Sequence, residues 1–345
     1  MTKNINMVLQ RIRTKYQIKR RKNSWLLQKI INRAKRLRSI IRQYEYERRP
    51  VINHPSPEKF SFLNNTNEVL SYFGDIKEFI TQKKSVKIDI SKITVLTPDT
   101  ITLMMAKLNE KYSKKVGLRG NAPENPILKS MFVESGLYDF VKSRGNFQVS
   151  QNNKLWKHST NKEVRGEIAG DAISVCRKLF LTNGIIYDTD HLYNLLVEAM
   201  SNTMNHADKK KSNVNWWLYY YIDEAEQILK YSFIDLGIGI FKSASFDSFR
   251  EFAKHFYGGN QLLVKPFLDG KIISSREKDK EISGKGVKQI ISCAKLEEFN
   301  KFTIITNDIK INVKTQESEV LNTDFEGTFI YFEISCKKQN DGNKI

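Results

Sequence analysis

The chain has 345 residues, 40% of them hydrophobic, with 57 lysines and arginines against 38 acids and a formal net charge of +19. That length supports two or more domains with real cores, and no apolar run approaches the length of a membrane-spanning helix. Three widely spaced cysteines, Cys176, Cys293 and Cys336, argue against a disulfide framework or a zinc site; with no apolar signal segment at the start, they point to a reducing, cytoplasmic setting.

The positive charge is concentrated at the start. Residues 1–49 hold 16 lysines and arginines and only two acids, Glu45 and Glu47. Trp25, Leu26, Leu27, Ile30, Ile31, Ala34, Leu37, Ile40 and Ile41 recur there at helical spacing, interleaved with Lys29, Arg33, Arg36 and Arg38. Residues 1–50 therefore read as a basic amphipathic arm. Three partners suit it: nucleic acid through phosphate neutralisation, an anionic membrane surface, or a protein face, that of this chain included.

Two prolines in PVINHPS, residues 50–56, end the arm. Residues 55–147 then alternate strand and helix. SVKIDI (85–90) reads as a strand, and ITLMMAKLNEKYSKK as an amphipathic helix whose start offers Thr97 or Asp99 as a cap. A short strand near 116–119 and a helix in NPILKSMFVESGLYDFV, ending near Gly136, complete a small α/β unit. Residues 148–165, rich in Asn, Lys, Gln and Ser, read as a linker, and 339–345 as a polar tail.

In YNLLVEAMSNTMNHA (193–207), Glu198, Asn202 and His206 fall four residues apart. At 100° per residue they drift by only about 80° over two turns, so one helix side carries a carboxylate, an amide and an imidazole. Leu195, Leu196 and Ala199 back them with apolar contacts. A polar ridge of this kind is most often a solvated face. The same ridge also suits holding a metal and an attacking water.

Downstream, ILKYSFI (228–234) reads as a buried strand that runs into Asp235, Gly237 and Gly239. A carboxylate at a strand end, followed by alternating glycines, lets backbone approach a flat ligand closely. A plain turn has the same residues. The charged segment 241–282 follows. Gly284, Lys285 and Gly286 then precede a helix-like stretch, KQIISCAKLEEF, an arrangement suited to phosphate. Gly327 and Thr328 precede the apolar strand FIYFEI.

Taken in order, these four segments resemble the GHKL ATP-binding fold of gyrases, heat-shock ATPases, sensor histidine kinases and mismatch-repair ATPases. The E-x3-N-x3-H-A form looks closest to the anti-sigma-factor serine kinases. The resemblance spans roughly residues 166–335 and implies a Bergerat-type α/β sandwich with a mixed sheet over 166–338. It also implies roles. Glu198 resembles the general base and Asn202 the magnesium ligand. Asp235 resembles the acceptor of the adenine amino group, with Gly237 and Gly239 closing on the base. Gly284 and Gly286 resemble the phosphate-side glycines, flanking Lys285, and Thr328 a water-mediated adenine contact; His206 matches a position frequent in the anti-sigma branch. Lys288 departs from the usual small or apolar residue after the second glycine box.

The segment around Asp89–Thr97 and the ending Glu134–Phe140 resemble a STAS domain, the fold of anti-sigma-factor antagonists. Members of that family are phosphorylated on a serine at a helix start, where this chain reads Thr97-Pro98-Asp99-Thr100. The resemblances imply a cytoplasmic protein that binds ATP and Mg2+ and hydrolyses ATP slowly to drive a conformational switch. One alternative is an anti-sigma-type serine/threonine kinase acting on a protein partner met through the STAS-like unit. The other is a non-enzymatic, nucleotide-gated scaffold binding nucleic acid through residues 1–49. Pairing into a homodimer is common in the anti-sigma branch.

Overall fold

The computed structural model describes residues 10, 14, 17, 19–20, 22–37, 40, 50–110, 118–140, 154–159, 164, 166–206, 215–245, 259–271, 273–274 and 285–336. For 139, 154–159, 204–206, 244–245, 273–274 and 285 only the backbone is described. Residues 22–37 form the arm helix, α1, and every side chain along it is exposed.

The first globular unit is strand–helix alternation. Strands β1 (Val51–Pro55), β3 (Ser85–Asp89) and β5 (Leu118–Gly120) form a parallel sheet in the order β1-β3-β5. Beside it, β2 (Lys59–Phe60) and β4 (Val95–Leu96) make a two-residue parallel pair. Helix α2 (Thr66–Thr81) crosses from β2 to β3, α3 (Pro98–Leu108) follows β4, and α4 (Pro126–Glu134) follows β5. The proline-bearing segment that ends the arm is itself the edge strand β1, a position that tolerates proline because no ladder donor is needed there. Helix α3 starts with Pro98 at its first turn, and Thr97 precedes it without a capping side-chain bond. Helix α4 ends two residues before Gly136, whose φ of 81° only glycine adopts without cost.

The second unit is a five-stranded sheet in the order β11-β12-β8-β7-β6. Its strands are β6 (Lys154–Ser159), β7 (Asn215–Asp223), β8 (Ile228–Asp235), β11 (Phe299–Asn312) and β12 (Glu317–Ser335). Every pairing in it is antiparallel, so the mixed sheet expected for residues 166–338 is corrected: the parallel pairs lie in the first unit. The supposed linker is corrected too, since β6 lies within 148–165 and forms the sheet's edge. Helices α5 (Gly166–Thr182), α6 (Asp190–His206) and α9 (Lys285–Ala294) cover one face. Between β8 and α9 lie α7 (Ile240–Ser243), the small pair β9 (Ala244–Ser245) and β10 (Ile273–Ser274), and α8 (Val264–Leu268).

The other face of this sheet is covered by the first unit. Side chains alternate along a strand, and in β7 that alternation divides two cores. Trp216, Leu218 and Tyr220 join the cluster under α5 and α6. Trp217 and Tyr219 join Ile234, Ile305, Phe329 and Tyr331 against Phe60, Phe62, Ile101 and Met105 of the first unit. Phe62 stands edge-on to Phe329 at 5.0 Å between centroids. Deep in the same contact, Thr102 Oγ1 and Ser232 Oγ lie 2.9 Å apart, and at its margin Lys310 Nζ donates to the Leu63 carbonyl at 2.6 Å. The molecule is thus layered, with helices, sheet and α/β unit stacked on a shared middle layer.

This packing bears on Thr97-Pro98-Asp99-Thr100. Asp99 and Thr100 are 1% and 0% exposed. The Thr100 hydroxyl accepts the Phe62 N–H at 2.7 Å, and the Asp99 carboxylate accepts the Leu63 N–H at 2.9 Å. Thr100 is out of reach of a kinase in the folded chain. Burial raises the Asp99 carboxyl above its ordinary value, against opposing hydrogen bonds from Thr97 and the 62–63 backbone.

Two outcomes follow for stability. Phe62→Ala should cost about 3–5 kcal/mol, as for other buried aromatic truncations, and calorimetry should show both units melting in one transition. Separate melting would show that the shared core does not couple them. Asp99 binds its proton more tightly folded than unfolded. Its stabilising contribution is therefore complete below the unfolded carboxylate value and is lost as pH rises through the raised folded one. Denaturant titrations of Asp99→Asn should accordingly lack a decline in stability that the parent chain shows above about pH 4.

Candidate functional site

The site lies at one end of the helix–sheet layer, where β8 stops. Strand β8 is buried from Tyr231 to Asp235, which is 8% exposed. Its carboxylate is held from two sides. Oδ1 accepts the Gly237 N–H at 2.8 Å, closing an Asx turn, and Oδ2 accepts the Thr203 hydroxyl at 3.3 Å. Thr203 is in α6, one residue beyond Asn202, and its hydroxyl also bonds the Ala199 carbonyl at 3.1 Å. Helix and strand end are thereby tied at the carboxylate.

Across the sheet, Thr328 is the register partner of Asp235. The preceding Gly327 has φ 139°, and a Cβ there would stand 2.0 Å from the Asp235 carbonyl oxygen. Gly327 and Thr328 lie inside the long strand β12, not at a strand start as the sequence suggested. Strand β11 irons the loop after Asp235 into place. Thr306 donates to the Gly327 carbonyl at 2.9 Å and accepts the Ile240 N–H at 2.8 Å. Asn307, fully buried with φ 53°, accepts the Phe241 N–H at 3.0 Å and donates to the Ile238 carbonyl at 3.0 Å. Register shifts flank Asn307, with the extra residues on β12: Thr306 pairs with Thr328, Asn307 with Phe325 and Ile309 with Val320. Gly239, φ 82°, has no room for a side chain against that amide.

A cleft opens between these parts. Its walls are Asn202, Thr203, Asp235, Gly239, Ser243 and Thr328 on the polar side, with Ala199, Phe233, Ile238, Ile240, Phe267, Val287, Ile290, Ile304 and Ile330 on the apolar side. It encloses about 690 Å³ of atom-free space, the open solvent at its mouth included. Phe267 and its neighbours Leu263, Val264 and Leu268 are buried, so these four residues of the long charged segment after Gly239 are wall or core.

Glu198 is not in the cleft wall. It stands one turn from Asn202 and faces the start of α9, where the two helices pack. A Cβ on Gly286 would lie 2.7 Å from Asn202 Oδ1 and 2.8 Å from Glu198 Oε2, so only glycine permits this approach. Asn202 Nδ2 is buried and has no hydrogen-bond partner among the described residues. Such an orphaned donor is costly unless something bound satisfies it. The Cys293 thiol, further along α9, is pushed up by burial first and then by Glu298 and Glu198.

Of the residues singled out by sequence, the structure brings Asn202, Asp235, Gly239 and Thr328 to one cleft, with Gly237 fixing the carboxylate. It also joins Glu198 and Gly286 to Asn202. Gly284 and the side chains of His206 and Lys285 lie outside the described residues. Thr203, Thr306, Asn307 and Phe267 escaped the sequence reading. A signal existed for Asn307, because an Asn-Asp pair, residue types disfavoured in regular strands, stands inside the strand-like run TIITNDIKINV. No cluster of three His, Cys, Asp or Glu side chains that could hold a metal is found among the described residues. Neither a protein-family model nor a curated protein matches the chain.

The two glycines make opposite forecasts. Gly327→Ala drives a side chain into backbone at a positive φ and should cost about 3 kcal/mol or more in a denaturant titration. Gly286→Ala meets only side-chain ends, so its melting temperature should stay near that of the parent while Glu198 and Asn202 are pushed aside.

Proposed function

We propose that the cleft binds Mg-ATP in the manner of the GHKL ATPases and that the chain hydrolyses it slowly. One observation carries the reading. A buried strand-end carboxylate and an amide nitrogen with no partner among the described residues share a cleft whose apolar walls suit a flat purine. Under this reading Asp235 accepts the adenine amino group. It is held by Gly237 and Thr203, and each carboxylate oxygen can accept more than one hydrogen bond. Ile238, Gly239 and Ile330 would lie along the base, with Thr328 beside it.

The phosphates would run toward Gly286. None of the described cleft-lining residues is a lysine or arginine. Negative charge would be met by the α9 N-terminus, by Asn202 and by a divalent cation. The donor set fits Mg2+ as a phosphate-bound ion: Asn202 supplies one protein oxygen, and the ion offsets phosphate charge when bound. Glu198, a turn away on the same helix, is placed to orient the attacking water and take its proton. The Gly286 approach keeps α9 against both side chains, so the phosphate end of a nucleotide would load the α6–α9 contact and thereby drive a conformational change.

Isothermal titration with ATP and magnesium tests the reading. Heat of binding is expected, with Asp235→Asn weakening affinity at least tenfold and Glu198→Ala retaining affinity but losing phosphate release. No heat with any adenine nucleotide in the presence of magnesium would remove the proposal.

A further inference from the structure

The arm helix carries a different message from the cleft. Along α1, Trp25, Leu26, Leu27, Ile30, Ile31 and Leu37 are 57%, 46%, 59%, 61%, 44% and 52% exposed. The described residues of the chain's own units leave this apolar surface uncovered. Leu27, Ile30, Ala34 and Leu37 follow one another at steps of three and four, so they form one stripe along the helix. Lys22, Lys29, Lys35 and Arg36 lie off that stripe, Arg33 borders it, and all five are exposed. No acid occurs before Glu45.

We propose that α1 lies on an anionic lipid surface, its leucines and isoleucines in the acyl boundary and its cations at the headgroups. Charge and apolarity select this occupant jointly. A nucleic acid neutralises the cations but offers nothing to cover a leucine–isoleucine stripe. A second copy covers the stripe but brings together two arms that each carry a large positive excess. An anionic bilayer does both, and 16 helical residues, about 24 Å long, are enough to lie in its plane. Each cation near such a surface adds attraction that salt weakens, while the buried stripe does not depend on salt.

The test uses the full chain and two variants at exposed positions, Leu27→Glu/Ile30→Glu/Leu37→Glu and Lys29→Gln/Arg33→Gln/Arg36→Gln, each first shown to melt as the parent does. Co-sedimentation is measured with vesicles of phosphatidylcholine alone and of an equal mixture with phosphatidylglycerol. The parent should bind the anionic vesicles at least tenfold better than the neutral ones. The glutamate variant should lose at least tenfold in that binding, and the glutamine variant should lose most of its preference for anionic lipid. Three results would overturn the proposal. They are failure of the parent to bind anionic vesicles, undiminished vesicle binding by the glutamate variant, and a parent dimer in analytical ultracentrifugation that the glutamate variant dissociates. ATP titration of the same variants should match the parent, so failure here is separable from failure of the nucleotide reading.

Discussion

Burial of both faces of one antiparallel sheet constrains the rest of this molecule. An antiparallel sheet commonly keeps one face wet and shows it as apolar–polar alternation. Strand β7 has no wet face along Trp216–Tyr220, because helices cover one side and the α/β unit the other. Both broad surfaces being occupied, a ligand has access only where the layers end. The cleft opens there, between α6, the end of β8 and the middle of β12, and it stays on the helix side through Phe233, Ile304 and Ile330.

Departures from regular geometry gather at that end. Gly327 and Gly239 take positive φ, Asn307 does so without being glycine, and the register of β11 on β12 slips on both sides of it. Each feature costs free energy by itself. Together they satisfy one another: the Asn307 amide serves the loop N–H and C=O groups that a regular strand would leave unpaired, and the glycines give that amide and the Asp235 carbonyl their space. The outcome is a carboxylate with little freedom to move, which is what recognition of a planar edge requires.

Legibility differed by element for physical reasons. Glu198 and Asn202 were readable because helical periodicity places them together whatever surrounds the helix, and α6 indeed runs Asp190–His206. Asp235 was readable because an apolar run stops at it. Strands β6, β7 and β11 left little pattern. Where both faces are buried, alternation disappears, and WWLYYYI announces burial without telling which side meets which layer. β6 is a polar edge strand in a composition typical of linkers. Helix α9 stops at Ala294, short of the helix-like stretch, because Phe299 begins β11 and the chain must turn between them. The partners of Asp235 in Thr203 and of the loop in Thr306 are tertiary facts that spacing along the chain does not contain.

The partition of charge supports a division of labour. The arm holds 16 of the 57 basic residues and two of the 38 acids, so the body is nearly balanced while the arm is not. Under the proposed nucleotide reading, a nearly balanced body with no described lysine or arginine in its cleft wall would meet the polyanion through directed groups: backbone N–H at a helix start, a fixed amide and a divalent cation. Such groups select by geometry. Under the lipid proposal the arm would face the opposite problem, since a flat anionic surface offers no fixed pattern of acceptors and dispersed cations around an apolar stripe meet it without one. Under the two proposals the chain meets a shaped anion through directed groups in its cleft and an extended one through the cations of its arm.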